Sequence, residues 1–197
     1  RRAIEHHEQA LTISREIGDR RGEGNALGNL GIAYAALGEP RRAIEHYEKH
    51  LIIAREIGDR RGEGNALGNL GNAYFHLGEP RRAIEHHEQA LTISREIGDR
   101  RGEGNDLGNL GSAYAYLGEP RRAIEHYEQA LTILREIGDR AGEAGASWNL
   151  GHLLIRAGEP DRGAEVARGF IEYLREIGHP ETSMREQQLH KALGTGP

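Results

Sequence analysis

The sequence of 197 residues contains no cysteine, only two lysines and no long apolar run. Without cysteine, disulfide bonds and thiolate metal sites are excluded. No stretch of about 18 consecutive apolar residues occurs, so we predict no transmembrane helix and no membrane partner. No signal peptide is visible at the first residues, which do not begin with Met, and we expect a cytoplasmic segment of a longer protein.

An excess of charge of one sign is also lacking. The net charge is −5, and the acidic and basic residues, which make up 29% of the chain, are interspersed. A protein that binds nucleic acid usually carries a basic patch or stripe. We therefore predict no nucleic-acid partner.

What the sequence does contain is an internal repeat with a period of 40 residues. Residues 1–40 and 81–120 differ only at positions 26/106, 32/112 and 36/116. The other segments follow the same register, with growing divergence after residue 140. Each position of a single globular core needs a different partner, whereas a stack of identical units requires such repetition. The chain is therefore predicted to be a solenoid.

Each repeat contains two helical patterns, which we call helix A and helix B. In helix A, about 60–77, apolar residues recur with helical spacing from Leu67 to Leu77. Gly78 is suited to the left-handed conformation that ends a helix, and Pro80 to the first position of the next. Helix B, about 80–97, ends at Gly98, and Asp99 is placed to cap the following helix.

These residues resemble a known family. Leu27-x2-Leu30-Gly31-x2-Tyr34, followed by Ala43-x3-Tyr47, is similar to the tetratricopeptide signature W-x2-L-G-x2-Y…A-x3-F, with Leu in place of Trp. The period of 40 and the missing proline after helix B resemble the long-helix variant found in LGN/Pins-type adaptors and kinesin light chains. The resemblance covers about residues 1–177. It implies an all-α, right-handed superhelical α-solenoid of about ten helices in antiparallel pairs, with helices A on the concave surface.

We expect one continuous solenoid domain. A mostly polar segment with the capping-box pattern Ser183-x-x-Glu186 is predicted to form a C-terminal capping helix. The apolar face of the first helix B, which includes Ala3, Ile4 and Leu11, has no helix A to cover it. That face predicts either preceding repeats or stacking on another copy. The predicted segments are a half repeat at 1–20, repeats at 21–60, 61–100 and 101–140, a degenerate repeat at 141–178, the capping helix at 179–193 and a tail at 194–197.

The differences between repeats point to a candidate binding surface on helix A. Invariant asparagines occupy one helical stripe, and the residues three and seven positions further along the same stripe differ from repeat to repeat. We call Asn29, Asn69, Asn109 and Asn149 the asparagine ladder. The same stripe contains Asn25, Asn65 and Asn105, together with the variable residues Ile32, Asn72, Ser112 and His152, and Ala36, His76 and Tyr116.

An asparagine amide carries a donor and an acceptor side by side, as a peptide group does. A row of them could bind an extended backbone of any sequence, while the variable residues contact its side chains. Neighbouring helices lie about 8–10 Å apart and an extended peptide advances about 3.3 Å per residue, so one repeat would meet about three ligand residues. The family resemblance also implies that such asparagines bind peptides. Alternatively, the amides are solvated or bonded to a neighbouring helix.

Catalytic and metal-binding patterns are not evident. His46 and His50 have the spacing of a zincin helix, but Tyr47 stands where the Glu is needed. The segment GEGNALG is not preceded by a strand and has the wrong spacing for a dinucleotide loop. We predict no catalytic residue, no metal and no cofactor. We expect the acidic residues in surface ion pairs and His6, His46, His86 and His126 on a solvated outer face.

The predicted function is that of a protein–protein interaction scaffold. It would bind an extended peptide or protein segment in its concave groove through the asparagine ladder, without being an enzyme. Two alternatives remain open. The chain could be the sensor or regulatory array of a larger signalling protein, or a self-assembling structural solenoid that forms homo-oligomers through its N-terminal half repeat.

Overall fold

The computed structural model describes residues 2–194. Those residues form ten α-helices and no strand, which confirms the predicted all-α class. The predicted tail falls outside the described residues except for residue 194. The helices are α1 (Arg2–Glu16), α2 (Arg20–Ala36), α3 (Pro40–Glu56), α4 (Arg60–His76), α5 (Pro80–Glu96), α6 (Arg100–Tyr116), α7 (Pro120–Glu136), α8 (Arg140–Arg156), α9 (Pro160–Glu176) and α10 (Thr182–Ala192).

Helices of the two kinds alternate because each has its own start signal. Helix A follows an aspartate: the Asp99 carboxylate accepts a hydrogen bond of 2.9 Å from the Gly102 amide, which confirms the predicted cap. Helix B begins with proline, as at Pro80 of α5. The turn between them contains a glycine with positive φ, which is +78° at Gly78. Residues other than glycine rarely adopt this backbone conformation. No helix in the described part is long and apolar enough to span a membrane.

The chain consists of two compact units, Arg1–Gly102 and Glu103–Pro197. In the first unit, α2 to α5 pack around a core that includes Leu30, Leu67 and Leu70, each 1% exposed. Helix α1 contributes no buried residue, but Ile4 and Leu11 are half-buried against the core, so the prediction of an uncovered face is wrong for these two residues. Ile13 of α1 is 56% exposed, whereas Ile53 and Ile93 at the same position of α3 and α5 are each 4% exposed.

The signature glycine of helix A packs directly against a ring from helix B of the same repeat. A Cβ atom added to Gly31 would lie 2.3 Å from the ring of Tyr47, and one added to Gly71 would lie 2.6 Å from the ring of His87. No real Cβ atom tolerates such a distance. Glycine at this position therefore leaves the space that the ring from the paired helix occupies.

In the second unit, Leu110, Leu150 and Leu154 are buried in the core, and α10 packs on α8 and α9 through Leu189, which is 5% exposed. The capping box predicted from Ser183 is wrong, because α10 already begins at Thr182. Its Glu186 instead accepts a hydrogen bond of 2.6 Å from Arg175 of α9.

An aromatic cluster surrounds the single tryptophan of the chain. The ring of Trp148 in α8 lies 4.9 Å from that of Phe170 in α9 and 4.3 Å from the imidazole of His152, centroid to centroid. Trp148 also packs against the small core of Ala167, Ile171 and Leu189. Trp148 stands at the position that is Gly28, Gly68 or Gly108 in the preceding repeats.

Candidate functional site

The predicted site residues lie on one kind of helix and reach the surface. All of them belong to α2, α4, α6 or α8, and none is buried. Exposed members are Asn25, Asn29, Ile32, Ala36, Asn65, Asn72, His76, Asn105, Tyr116 and Asn149; half-buried members are Asn69, Asn109, Ser112 and His152.

Most of the asparagine amides have no partner within the protein. Among described residues 2–194, none accepts a hydrogen bond from, or donates one to, the amides of Asn29, Asn69 and Asn109. The same holds for Asn25, Asn65, Asn72 and Asn105. These side chains therefore retain their full hydrogen-bonding capacity at the surface.

A pocket of about 600 Å³ lies between α2 and α4 in the first unit. We call it the α2–α4 pocket. It brings together four of the predicted residues, Ile32, Asn69, Asn72 and His76. Sequence reasoning missed the remaining lining residues, which are Ala35, Gly38, Pro40, Tyr47 and Ala73.

Tyr47 comes from helix B, α3, yet it lines this pocket between two helices A. Its ring passes over Gly31, where the absent side chain leaves room for it. The residue is 3% exposed, and this burial raises the pKa of its phenol to about 12. No described residue is hydrogen-bonded to its hydroxyl. The hydroxyl is thus a protonated, unpartnered group at the floor of the pocket.

The second unit has a smaller recess, of about 160 Å³, at the N-terminal halves of α6 and α8. Its floor is Tyr127 of α7, the counterpart of Tyr47. Here the phenol has partners: its hydroxyl lies 2.9 Å from that of Ser112 and is also hydrogen-bonded to Asn149. Burial raises the Tyr127 pKa, and these two hydrogen bonds partly offset the rise. The predicted residues in this recess are Asn105, Asn109, Ser112 and Asn149.

Ser112 and Asn149 thus contact the protein itself. The Ser112 hydroxyl also donates a hydrogen bond of 3.1 Å to the Gly108 carbonyl. For these two residues the structural alternative has direct support. The pocket and the recess do not include Asn25, Asn29, Ala36, Asn65, Tyr116 or His152.

The predicted solvated position of the recurring histidines is wrong for three of the four. His46 stacks on Tyr34 with ring centroids 5.2 Å apart, and His86 stacks on Tyr74 at 5.1 Å. His126 stacks in the same way on the tyrosine of its own repeat. Burial lowers the pKa of His46 and His86. The signal in the sequence is a Tyr followed twelve positions later by His in each repeat.

The expectation that acidic residues form surface pairs is wrong for one glutamate in each of three repeats. Glu23, Glu63 and Glu103 are only 8%, 8% and 7% exposed. Glu63 accepts hydrogen bonds of 2.8 Å from Arg55 and 2.5 Å from Arg60. Burial alone would raise the pKa of Glu63, but these two bonds outweigh it and the pKa is lowered. This network holds the first turn of α4, and Arg15 and Arg20 bond to Glu23 in the same way in α2.

A further cleft, of about 640 Å³, lies on α7, α8 and α9. Its three arginines are already in ion pairs, since Arg135 contacts Glu143 at 2.8 Å, and Arg140 and Arg162 contact glutamates outside the lining at 2.9 Å. We do not regard it as a candidate site. Within residues 2–194, no group of three or more His, Asp or Glu side chains could hold a metal ion.

Comparison with solved structures places this helix arrangement among known folds. Superposition on BtubC (BKLC) from P. vanneervenii gives a TM-score of 0.83 at 21% identity, covering 98% of this chain and 84% of the other. A chain named as a kinesin light chain with nearly identical TPR-like repeats, from Podosopora anserina, gives 0.68 at 18% identity, covering 89% and 87%. At such identities the likeness concerns the fold.

A Rap protein complexed with Competence and Sporulation Factor is also similar, with a TM-score of 0.83 at 16% identity. The alignment covers 95% of this chain but 53% of the Rap protein, so the chain spans about half the length of that relative. No curated protein matches the chain significantly in sequence.

The family model described as tetratricopeptide repeat matches residues 1–56, 62–136 and 105–162. These matches extend over most of the chain and include every segment on which the signature residues were found. The structure agrees with them, since signature glycines such as Gly31 and Gly71 pack against a ring from the paired helix, with no space for a side chain. The chain belongs to the tetratricopeptide repeat family.

Proposed function

We propose that this chain is a scaffold that binds an extended peptide or protein segment along the surface formed by helices A. The asparagine ladder would bond the ligand backbone, and the variable residues beside it would contact ligand side chains. The scaffold has no catalytic role in this proposal. A cytoplasmic location is part of it.

The observation that carries the proposal is the row of unpartnered amides. Asparagine is a mediocre helix former, and an asparagine in mid-helix gains nothing when its amide meets only water. Asn29, Asn69 and Asn109 nevertheless recur at the same helix position, with no hydrogen-bond partner among the described residues. A ligand backbone would supply the missing partners, because its peptide groups match the amide in donor and acceptor.

A selection experiment tests the proposal. A random-peptide library displayed on phage is selected on the chain, and on a variant with Asn29→Ala, Asn69→Ala and Asn109→Ala. We expect peptides that bind the parent and lose most of their affinity for the variant. Since alanine is the better helix former, the variant should be at least as stable as the parent, so unfolding would not explain the loss.

The opposite result is equally informative. Equal binding to both proteins would assign the amides a structural role and contradict the proposal. Absence of any selected peptide would contradict it as well. Circular dichroism and thermal unfolding of both proteins serve as the control for folding.

A second candidate function, self-association, is favoured by the exposure of α1. Ile13 of α1 and Ile17, which directly follows the helix, are 56% and 71% exposed, whereas Ile53, the equivalent of Ile13 in α3, is almost completely buried. Stacking of α1 against another copy would cover these side chains. Light scattering over a range of protein concentrations tests this candidate, and a mass that stays monomeric at every concentration would eliminate it.

A further inference from the structure

The α2–α4 pocket carries an inference about which ligand side chain it takes, and this inference rests on the proposed peptide-binding function. Tyr47 is only 3% exposed but lines the pocket, and its hydroxyl has no hydrogen-bond partner among the described residues. A hydroxyl that reaches a pocket without a partner in the protein keeps its donor and acceptor capacity for a ligand. Because this hydroxyl lies at the floor of an open pocket, an occupant of the pocket can supply the partner.

In the second unit, the equivalent tyrosine, Tyr127, finds its hydrogen-bond partners within the protein. There, Ser112 and Asn149 are hydrogen-bonded to Tyr127. The residue equivalent to Ser112 in the first unit is Ile32, which has no polar atom to offer. The equivalent of Asn149 is Asn69, which lines the α2–α4 pocket without bonding to Tyr47. The unpartnered hydroxyl is thus specific to this pocket.

The charge of the pocket restricts the occupant further. Residues 24–37 and 64–77 contain no Asp, Glu, Lys or Arg, although such residues make up 29% of the chain. The lining of the pocket includes none either, and His76 is its one imidazole. A charged side chain that entered would lose hydration without gaining a counter-ion. A neutral side chain is therefore favoured.

The shape of the lining supplies the last restriction. Ile32, Ala35 and Pro40 add apolar surface to the lining that also contains Tyr47. Methylene groups can pack on such a surface while a terminal acceptor meets the phenol, whose high pKa keeps its proton in place at neutral pH. Glutamine combines a methylene stem with a neutral carbonyl acceptor. Glutamate is charged, and leucine has no acceptor.

We propose that the α2–α4 pocket selects peptides with a neutral carboxamide side chain, glutamine above all, whose carbonyl oxygen accepts a hydrogen bond from the Tyr47 hydroxyl. The stem of that side chain packs on Ile32, and the ligand backbone bonds to Asn69.

The test uses the same phage-displayed random-peptide library, selected in parallel on the chain and on its Tyr47→Phe variant. We expect glutamine at a fixed position of the peptides selected by the parent and no such enrichment with Tyr47→Phe. The selected peptides should bind Tyr47→Phe about tenfold more weakly, as the loss of one hydrogen bond to a buried group predicts. Replacing the selected glutamine by leucine or glutamate in a synthetic peptide should weaken binding to the parent at least as much.

Two further variants separate this role from a structural one. Tyr173→Phe removes a hydroxyl from α9, outside the pocket, and should leave the selected sequences and their affinities unchanged. Tyr127→Phe removes a hydroxyl that the chain itself bonds, so it should lower the melting temperature. Tyr47→Phe should not lower it, because no bond within the protein is lost.

The outcomes distinguish this inference from the function on which it rests. Peptides that depend on the asparagine ladder but bind Tyr47→Phe as tightly as the parent would overturn the inference and leave the peptide-binding scaffold standing. Enrichment of acidic or basic residues at the fixed position would also overturn it. Failure to select any peptide would overturn both.

Discussion

At the scale of single residues, the signature glycine and an unconstrained glycine should respond oppositely to the same substitution. In Gly31→Ala the new methyl group would lie 2.3 Å from the buried Tyr47 ring, whereas at Gly108 nothing lies within 4 Å of an added Cβ. We expect Gly31→Ala to lower the free energy of unfolding by about 1–2 kcal/mol, because overpacking exceeds the gain in helix propensity. Gly108→Ala should raise it by about 0.5–1 kcal/mol. Urea unfolding measures both, and similar effects would contradict the packing argument.

His50 should make the stability of the first unit depend on pH. It is 8% exposed, and burial lowers its pKa despite the opposing charge of Asp59. The unfolded chain, with a His pKa of about 6.5, therefore takes up the proton first as the pH falls, and stability declines below about pH 6.5. We expect the substitution His50→Ala to make this decline shallower, as measured by thermal unfolding at a series of pH values. Alanine is the residue that the chain itself has at the equivalent positions 90 and 130.

His6→Ala provides the control for this measurement, because His6 is exposed on α1. Its stability curve should follow that of the parent across the same pH range. Parallel curves for His50→Ala and the parent would show that the buried imidazole has no such effect.

At the scale of the helices, the buried glutamate in the first turn of α4 should contribute more to the free energy of unfolding than an exposed glutamate. Glu63 joins α3 to α4 through Arg55 and is almost completely buried, whereas Glu79 forms an exposed pair with Arg82. We expect Glu63→Gln to lower the free energy of unfolding by about 1–2 kcal/mol, since charge-assisted hydrogen bonds are lost. Glu79→Gln should change it by less than about 0.5 kcal/mol.

The pH dependence of that contribution has a definite sign. The pKa of Glu63 is lowered in the folded chain, so its stabilisation is present above the ordinary Glu pKa of about 4.3 and is lost as the pH falls below it. Acid unfolding of Glu63→Gln should therefore be less steep than that of the parent. Equal steepness would indicate that other carboxylates dominate acid unfolding.

Local signals carried most of the fold prediction. The signals that start and end the helices act within a few residues, so they can be predicted from the sequence. Examples are the cap Asp99, the helix-ending Gly78 and the helix-starting Pro80. The burial of Glu63 was missed because its partner Arg55 belongs to the preceding helix. Ser183 was wrongly predicted as a cap because α10 already begins one residue earlier, at Thr182.

For the candidate site, the sequence identified several residues that line the α2–α4 pocket, but it did not indicate that Tyr47 lines the pocket as well. The helical period places Ile32 and Asn69 on the outward stripe of their helices, and both line the α2–α4 pocket. Tyr47 belongs to the other helix of its repeat and was not among the predicted site residues. Its access to the pocket depends on the gap that Gly31 leaves, a contact that spacing along the chain does not encode.

At the scale of the whole molecule, the distribution of charge predicts how binding responds to salt. The chain has 57 acidic and basic side chains, 26 Lys and Arg with 31 Asp and Glu, yet none lies in residues 24–37 or 64–77. We expect the affinity of selected peptides for the first unit to change less than about twofold between about 0.05 M and about 0.5 M NaCl, because screening acts on charges. Isothermal titration calorimetry measures this, and a steep loss of affinity would indicate ionic contacts instead.

The aromatic cluster around Trp148 provides a built-in optical probe. Trp148 is the sole indole of the chain and packs against Phe170 and His152. Its fluorescence therefore reports on the packing of α8 against α9. Far-ultraviolet circular dichroism, by contrast, averages over all helices. A denaturation followed by both signals would therefore compare the last repeat with the rest of the protein, and coincident transitions would identify unfolding as a single cooperative event without any attached label.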